Sequence, residues 1–210
     1  MNLLNSLKLY AVTDSSLCRN KTLEEMVEEA IIGGVTIIQL REKHLTHNDF
    51  LLRAKSIKGV CDKYNVPLII NDDIMVAKEC AAAGVHIGQG DISCKDARKI
   101  LGYNYYIGVS AHNIQEAREA ENQGADYIGV GAVFTTKSKD DARSVAKDEL
   151  INIINSVSIP VVAIGGINKG NIIELQHTGI NGVAIISGIF GSDNITSESK
   201  EIKDILDKFI

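Results

Sequence analysis

Eight short runs of mostly β-branched residues, each followed by a longer amphipathic or polar segment, limit what this chain can fold into more than any other feature. They fall at 9–13, 36–40, 68–70, 85–88, 106–109, 127–134, 161–164 and 183–186. The runs are apolar nearly throughout rather than alternating, as expected of parallel strands buried on both faces. Between the first two, Leu23, Met26, Val27, Ala30 and Ile31 recur at helical spacing behind a Thr22-x-x-Glu25 capping box. Thr46-x-x-Asp49 introduces a second such stripe through Phe50, Ala54, Ile57, Cys61 and Tyr64, and Ile202, Ile205, Leu206 and Phe209 form the last. Breakers such as Gly33-Gly34, Asn65-Val66-Pro67 and Gly124-Ala125-Asp126 precede the next strand.

Eight β-then-α units in succession predict a single (β/α)8 TIM barrel over residues 1–210 as one domain, with loops shorter than the ~250-residue norm requires. The rival is an open doubly wound sheet. The first strand-to-helix junction, Thr13-Asp14-Ser15-Ser16-Leu17, lacks the Gly-x-Gly-x-x-Gly of the dinucleotide-binding version of that fold.

Charge and composition remove other classes. A net charge of −5 gives no uniform attraction to nucleic acid or to an anionic membrane surface, so any anion site must be local. No apolar run approaches bilayer length, and the start lacks a signal-peptide pattern, which predicts a cytoplasmic protein. Cys18, Cys61, Cys80 and Cys94 show no C-x-x-C pairing and are expected as reduced thiols. Oligomeric state is not legible, and a homo-oligomer stays open.

In a barrel the chemistry sits at the C-terminal ends of the strands. Reading the predicted exits in order gives Asp14, then Arg41 and Lys43, Asn71 and Asp72, Gln89 and Asp91, Ser110 and His112, then Thr136, Ser138 and Lys139. Strands seven and eight end in Ile164-Gly165-Gly166-Ile167 and Ile186-Ser187-Gly188, where barrels commonly hold a monophosphate on backbone N–H groups; each glycine alone could simply turn strand into helix. Arg41, Lys43 and Lys139 suit a more highly charged group. Asp72 and Asp91, on adjacent exits, suit Mg²⁺, although either alone could belong to a helix start, as could Asp73. Gln39 interrupts an apolar run, and its amide needs partners, either a heterocycle or a neighbouring strand. Two anion sites, one with metal, imply two substrates and a diphosphate leaving group, hence a transferase without a covalent enzyme intermediate.

These segments resemble the thiamine phosphate synthase family along essentially the whole chain. The resemblance is carried in order by Tyr10-Ala11-Val12-Thr13-Asp14, Gln39-Leu40-Arg41-Glu42-Lys43, Asn71-Asp72-Asp73, His86-Ile87-Gly88-Gln89, Ile107-Gly108-Val109-Ser110-Ala111-His112 and the run from Gly131 to Lys139. It implies that a pyrimidine diphosphate meets Gln39, Leu40, Arg41, Glu42, Lys43, Asn71, Ser110 and Lys139, and that Mg²⁺ is held by Asp72 and Asp91. It further implies that a thiazole phosphate meets Thr136, Lys137, Ser138, Gly166, Ile186 and Ser187. The reaction implied is dissociative, with Lys139, Ser110, Arg41 and Lys43 as the catalytic groups and no general base. Ala132 and Thr135 stand where the family often has proline, which concerns loop rigidity rather than chemistry.

Two other readings share the barrel. A related thiazole tautomerase would use His112 as acid and base, and a non-catalytic barrel would bind thiamine precursors without turnover. The filled diphosphate and metal positions weigh against both. The segments 13–21 and 135–145 are polar and long enough to serve as lids.

Overall fold

Each predicted strand pairs in parallel with its neighbours in sequence, and the last returns to the first, so the sheet closes into a barrel in the order β1 to β8. In the computed structural model, which describes residues 2–136 and 144–210, the strands are β1 (Leu9–Val12), β2 (Ile37–Leu40), β3 (Leu68–Asn71), β4 (Gly84–Ile87), β5 (Tyr106–Ala111), β6 (Tyr127–Val130), β7 (Val161–Ile164) and β8 (Gly182–Ile185). The helices are α1 (Leu3–Ser6), α2 (Leu23–Ile32), α3 (His47–Lys63), α4 (Ile74–Glu79), α5 (Cys94–Leu101), α6 (Ile114–Asn122), α7 (Lys147–Ile154), α8 (Ser187–Phe190) and α9 (Ile195–Leu206). The (β/α)8 architecture expected from the sequence is the one found.

Strand periodicity divides the apolar residues into two cores. Leu9 and Ala11 of β1, Ile38 and Leu40 of β2, and Leu68 and Ile70 of β3 face outward and pack with the helices. Tyr10, Val12, Ile37, Ile69, Tyr127, Val162 and Ala184 fill the barrel interior. Fully buried Leu7, just after α1, joins that interior cluster ahead of β1.

The helices start where the sequence placed their caps. The Thr22 hydroxyl accepts from the Glu25 N–H at 3.2 Å, while the Glu25 carboxylate accepts from the Thr22 N–H at 2.7 Å. Thr46 and Ser93 cap α3 and α5 by accepting from the Asp49 and Asp96 N–H groups.

Two expectations are corrected. The sixth run, 127–134, is regular strand only to Val130; beyond it Val133 and Phe134 N–H groups donate to the Ile164 and Gly165 carbonyls at 3.0 and 3.1 Å, which draws the segment across the exit of β7. The seventh unit carries no α-helix: residues 165–181 fold around a 3-10 turn, Ile172–Leu175, in which Ile172 and Leu175 are buried. The segment bends through positive φ at Gly165, Gly166, His177 and Gly179 on either side of that turn.

At the N-terminal end of the barrel, buried Arg98 of α5 ties two strand starts together. Its guanidinium donates to the carbonyls of Gly102, Tyr105 and Gly124 at 2.8, 2.7 and 2.9 Å and to the Asp126 carboxylate at 2.5 Å. Asp126 in turn accepts from the Ile107 N–H of β5 at 2.7 Å.

Candidate active site

The strand exits surround a cavity of about 310 Å³ at the C-terminal end of the barrel, and every strand or its exit except β1 contributes to its wall. Arg41 and Lys43 come from beyond β2, Asn71 from β3 and Asp72 just after it, Asp91 from beyond β4, Ser110 from β5 and His112 just after it. Thr136, Gly166, Ile186 and Ser187 complete the opposite side. All eleven of these residues, each singled out in the sequence, therefore share one cavity.

Others do not line it. Leu40 points outward into the helix-facing core, because it is one residue out of phase with Gln39. Glu42 turns away to accept from Arg53 of α3 at 2.9 Å and from the Ser15 hydroxyl. Gln39 is buried and donates from Nε2 to the Tyr10 hydroxyl at 2.7 Å, so the neighbouring-strand bond left open by the sequence is formed. Lys137, Ser138 and Lys139 lie outside the described residues, as does most of the proposed lid at 135–145.

Local chemistry positions the exits. The buried Thr13 hydroxyl accepts from the Arg41 backbone N–H at 3.0 Å and fixes the turn that launches Arg41 and Lys43. Among the described residues neither cation pairs with a carboxylate, so their charge is available to an anion. Asp73 caps α4 by accepting from the Met75 and Val76 N–H groups at 2.9 Å. Asp72 adopts φ +64°, a left-handed conformation that Asp tolerates, and stands on the cavity wall. Asp91 stands outside the α5 cap, which Ser93 and Asp96 form, and accepts from the Gly88 N–H at 2.7 Å.

Across the cavity, Gly165 and Gly166 have φ of +103° and +65°. A Cβ at Gly166 would lie 2.5 Å from the Thr135 carbonyl oxygen, and one at Gly188 would lie 2.6 Å from that of Ile167. The β7 and β8 exits are thus packed backbone against backbone, leaving a wall that a ligand can approach closely.

His112 sits on the wall with Nδ1 2.9 Å from Glu116 Oε2, and its backbone N–H donates to the same oxygen at 2.8 Å. Burial pushes the Glu116 carboxyl up, but the hydrogen bonds from His112 and Asn113 outweigh it and hold the group below its ordinary value of 4.5. A carboxyl lowered in the folded state stabilises the fold above its unfolded value, and that contribution disappears as pH falls through the folded one. Glu116→Gln is therefore expected to lower the urea midpoint more at about pH 7 than at about pH 3. A gap that stays constant across that range would rule this out.

Residues without an assigned role in the sequence reading also reach the wall: His86, Gln89, Gly129, Gly131, Ala132 and Ile167. His86 could have been found by the signal that exposed Gln39, a polar residue within an apolar strand.

A closed barrel whose C-terminal mouth carries, among the described residues, two cations without a carboxylate partner and two acids on one side, and a glycine-rich wall on the other, defines an enzyme acting on phosphorylated small molecules. The chain belongs to the thiamine monophosphate synthase family, whose model matches residues 9–189. It is 50% identical over 197 residues to a thiamine-phosphate synthase of Ruminiclostridium cellulolyticum, covering 94% of each chain. It is 50% identical over 201 residues to that of Methanobrevibacter smithii, covering 94% of this chain and 96% of the relative. A thiamine phosphate pyrophosphorylase structure from Pyrococcus furiosus superposes with a TM-score of 0.92 at 39% identity, covering 99% of this chain and 98% of the other. The family assignment makes the protein a transferase of thiamine biosynthesis.

Proposed function

We propose that the chain joins a hydroxymethylpyrimidine diphosphate to a thiazole monophosphate, giving thiamine phosphate and pyrophosphate. The observation that carries this reading is one cavity with two chemically different walls: cations and carboxylates on the exits of β2 to β4, glycines and Ser187 on those of β7 and β8.

The donor set on the first wall suits Mg²⁺. Asp72 and Asp91 would hold it, since hard carboxylate oxygens on adjacent exits fit this ion, and the described residues contain no larger His, Cys, Asp or Glu cluster that would favour another metal. Bound there, Mg²⁺ would supply charge neutralisation to the diphosphate. Arg41 and Lys43 hold the diphosphate oxygens, and Lys139, by the family resemblance, joins them. Ser110 and Asn71 orient the pyrimidine above the barrel interior.

The C–O bond between the pyrimidine methylene and the diphosphate breaks with its electron pair leaving on pyrophosphate. The electron-rich aminopyrimidine stabilises the methylene cation, and the thiazole nitrogen lone pair forms the new C–N bond. No proton needs to move in this step. On the second wall, Thr136, Gly166, Ile186 and Ser187 hold the thiazole phosphate, and Lys137 and Ser138, by the family resemblance, join them.

Both substrates are small phosphorylated molecules, and a cytoplasmic setting accords with four free cysteines. No helix among the described residues is long and apolar enough to cross a membrane.

Turnover of the purified protein with both substrates and Mg²⁺, with an EDTA control, tests the reading. Equal, metal-dependent yields of thiamine phosphate and pyrophosphate are expected; absence of product at saturating substrate rejects it. Gly166→Ala is expected to raise KM for the thiazole phosphate at least about tenfold, because the added methyl must displace the wall and strains φ +65°. An effect confined to the pyrimidine substrate would misplace the phosphate site.

A further inference from the structure

Beneath the cavity, a row of polar side chains crosses an interior that barrels otherwise fill with branched apolar residues. Gln39 Nε2 lies 2.7 Å from the Tyr10 hydroxyl, which lies 2.9 Å from the Tyr127 hydroxyl. The Tyr127 hydroxyl lies 3.2 Å from His86 Nδ1, and His86 Nε2 lies 3.0 Å from Ser110 Oγ. Space for this row is built into the backbone. A Cβ at Gly108 would stand 2.1 Å from Tyr127 Cζ and 2.6 Å from His86 Nδ1, and one at Gly129 would stand 3.1 Å from the His86 ring.

The row can be counted in protons. Three hydrogen bonds connect Gln39 to His86, and each consumes one proton. The amide nitrogen of Gln39 only donates, so Tyr10 accepts from it and gives its own proton to Tyr127. Tyr127, having accepted, gives its proton to Nδ1 of His86. Burial pushes both phenols above their ordinary range, so neither proton is lost at physiological pH. Nδ1 is then an acceptor, and the proton of the neutral imidazole stands on Nε2, facing Ser110. Ser110 accepts it and keeps its own hydroxyl proton for the cavity that it lines.

We propose that this one-way chain fixes His86 in the Nε2-protonated tautomer and so makes the Ser110 hydroxyl a hydrogen-bond donor toward the ligand. His86 is a positioning residue: it acts through Ser110, whose backbone carbonyl is held independently by Gln89 Nε2 at 2.6 Å. On the function proposed above, on which the identity of the ligand rests, the group recognised is an acceptor nitrogen of the pyrimidine ring. A ring presenting N–H at that place would meet a second donor and be rejected, so the interior of the barrel sets the polarity of a specificity contact that it never touches.

Two measurements test this, one of them without substrate. In protein carrying ¹⁵N-labelled histidine, with the His86 signals identified by their loss in H86Q, a pyrrole-like Nε2 and a pyridine-like Nδ1 are expected, and Y127F should turn that single tautomer into a mixture. A protonated Nδ1, a mixture in the wild type, or a Y127F spectrum unchanged from it overturns the chain. In turnover, His86→Ala is expected to lose about 10- to 100-fold in kcat/KM, falling on KM for the pyrimidine substrate, and His86→Gln, whose amide can donate from the Nε2 position, is expected to recover most of it. Equal loss in both variants, or a loss falling equally on the thiazole phosphate, also overturns it. Failure of the wild type to form product would instead reject the synthase reading and leave the spectrum to judge the chain.

Discussion

Asp72→Asn is expected to lower kcat/KM by about 10²- to 10³-fold, with the remaining activity requiring far more Mg²⁺. The substitution isolates the charge. Asn tolerates the left-handed backbone at least as well as Asp, so the φ of +64° and the Asp72 N–H donated to the His86 carbonyl at 2.9 Å should both persist. Asp73, one residue on, continues to cap α4. A loss of activity with an unchanged urea midpoint therefore reports on the ligand rather than on the fold. If Asp72→Asn stayed within about threefold of wild type with the same Mg²⁺ dependence, Asp72 would not be a metal ligand and the first wall would need another account.

Arg98→Ala is expected to cost about 3 kcal/mol or more of stability, equivalent to roughly 6–12 °C in Tm for a chain of this size. Four acceptors, three of them backbone carbonyls, lose their donor together, and the guanidinium stack over Tyr103 at 5.4 Å is lost with them. The residue lies at the opposite end of the barrel from the cavity, so the specific activity of whatever remains folded should match the wild type. The buried Nε has no partner, so part of what Arg98 contributes is already offset by a desolvated donor. Arg98→Met, which removes that donor and keeps the bulk, should cost less than alanine. Urea denaturation of both variants measures this, and a cost below about 1 kcal/mol for alanine would refute the staple.

The barrel was legible because parallel strands covered on both faces leave continuous apolar runs, and because capping signals such as Thr22-x-x-Glu25 are local. The exits were legible for the same reason: once eight strands are placed, the residue after each is placed too. What escaped the sequence depends on contacts between distant segments. The run from 127 to 134 stays apolar past the strand end because Val133 and Phe134 remain bonded to the β7 exit, outside the regular ladder. Glu42 reads as a member of a charged binding segment, yet it answers to Arg53 on α3 and Ser15 after β1. Gln39 was recognised as a buried amide in need of a partner, but that partner, Tyr10, becomes part of a row only through Tyr127, 117 residues further along the chain. Lys139, the residue on which the sequence reading leans most heavily, belongs to the segment outside the described residues.

The way the sheet closes also bears on how the molecule comes into being. Each strand from β2 onward pairs with the strand made just before it, so the wall can be assembled as the chain lengthens; the exception is β1, whose Leu9 pairs with Val183 of β8. Until residues 182–185 have left the ribosome, β1 and the newest strand both present unpaired edges, and the interior row around Tyr10 has no finished barrel to exclude water from it. Closure is the most distant contact of the sheet and must wait for the final strand. During synthesis the unfinished wall is thus a template for the wrong neighbour, and nascent chains halted before β8 should be cut by protease far faster than chains halted after it.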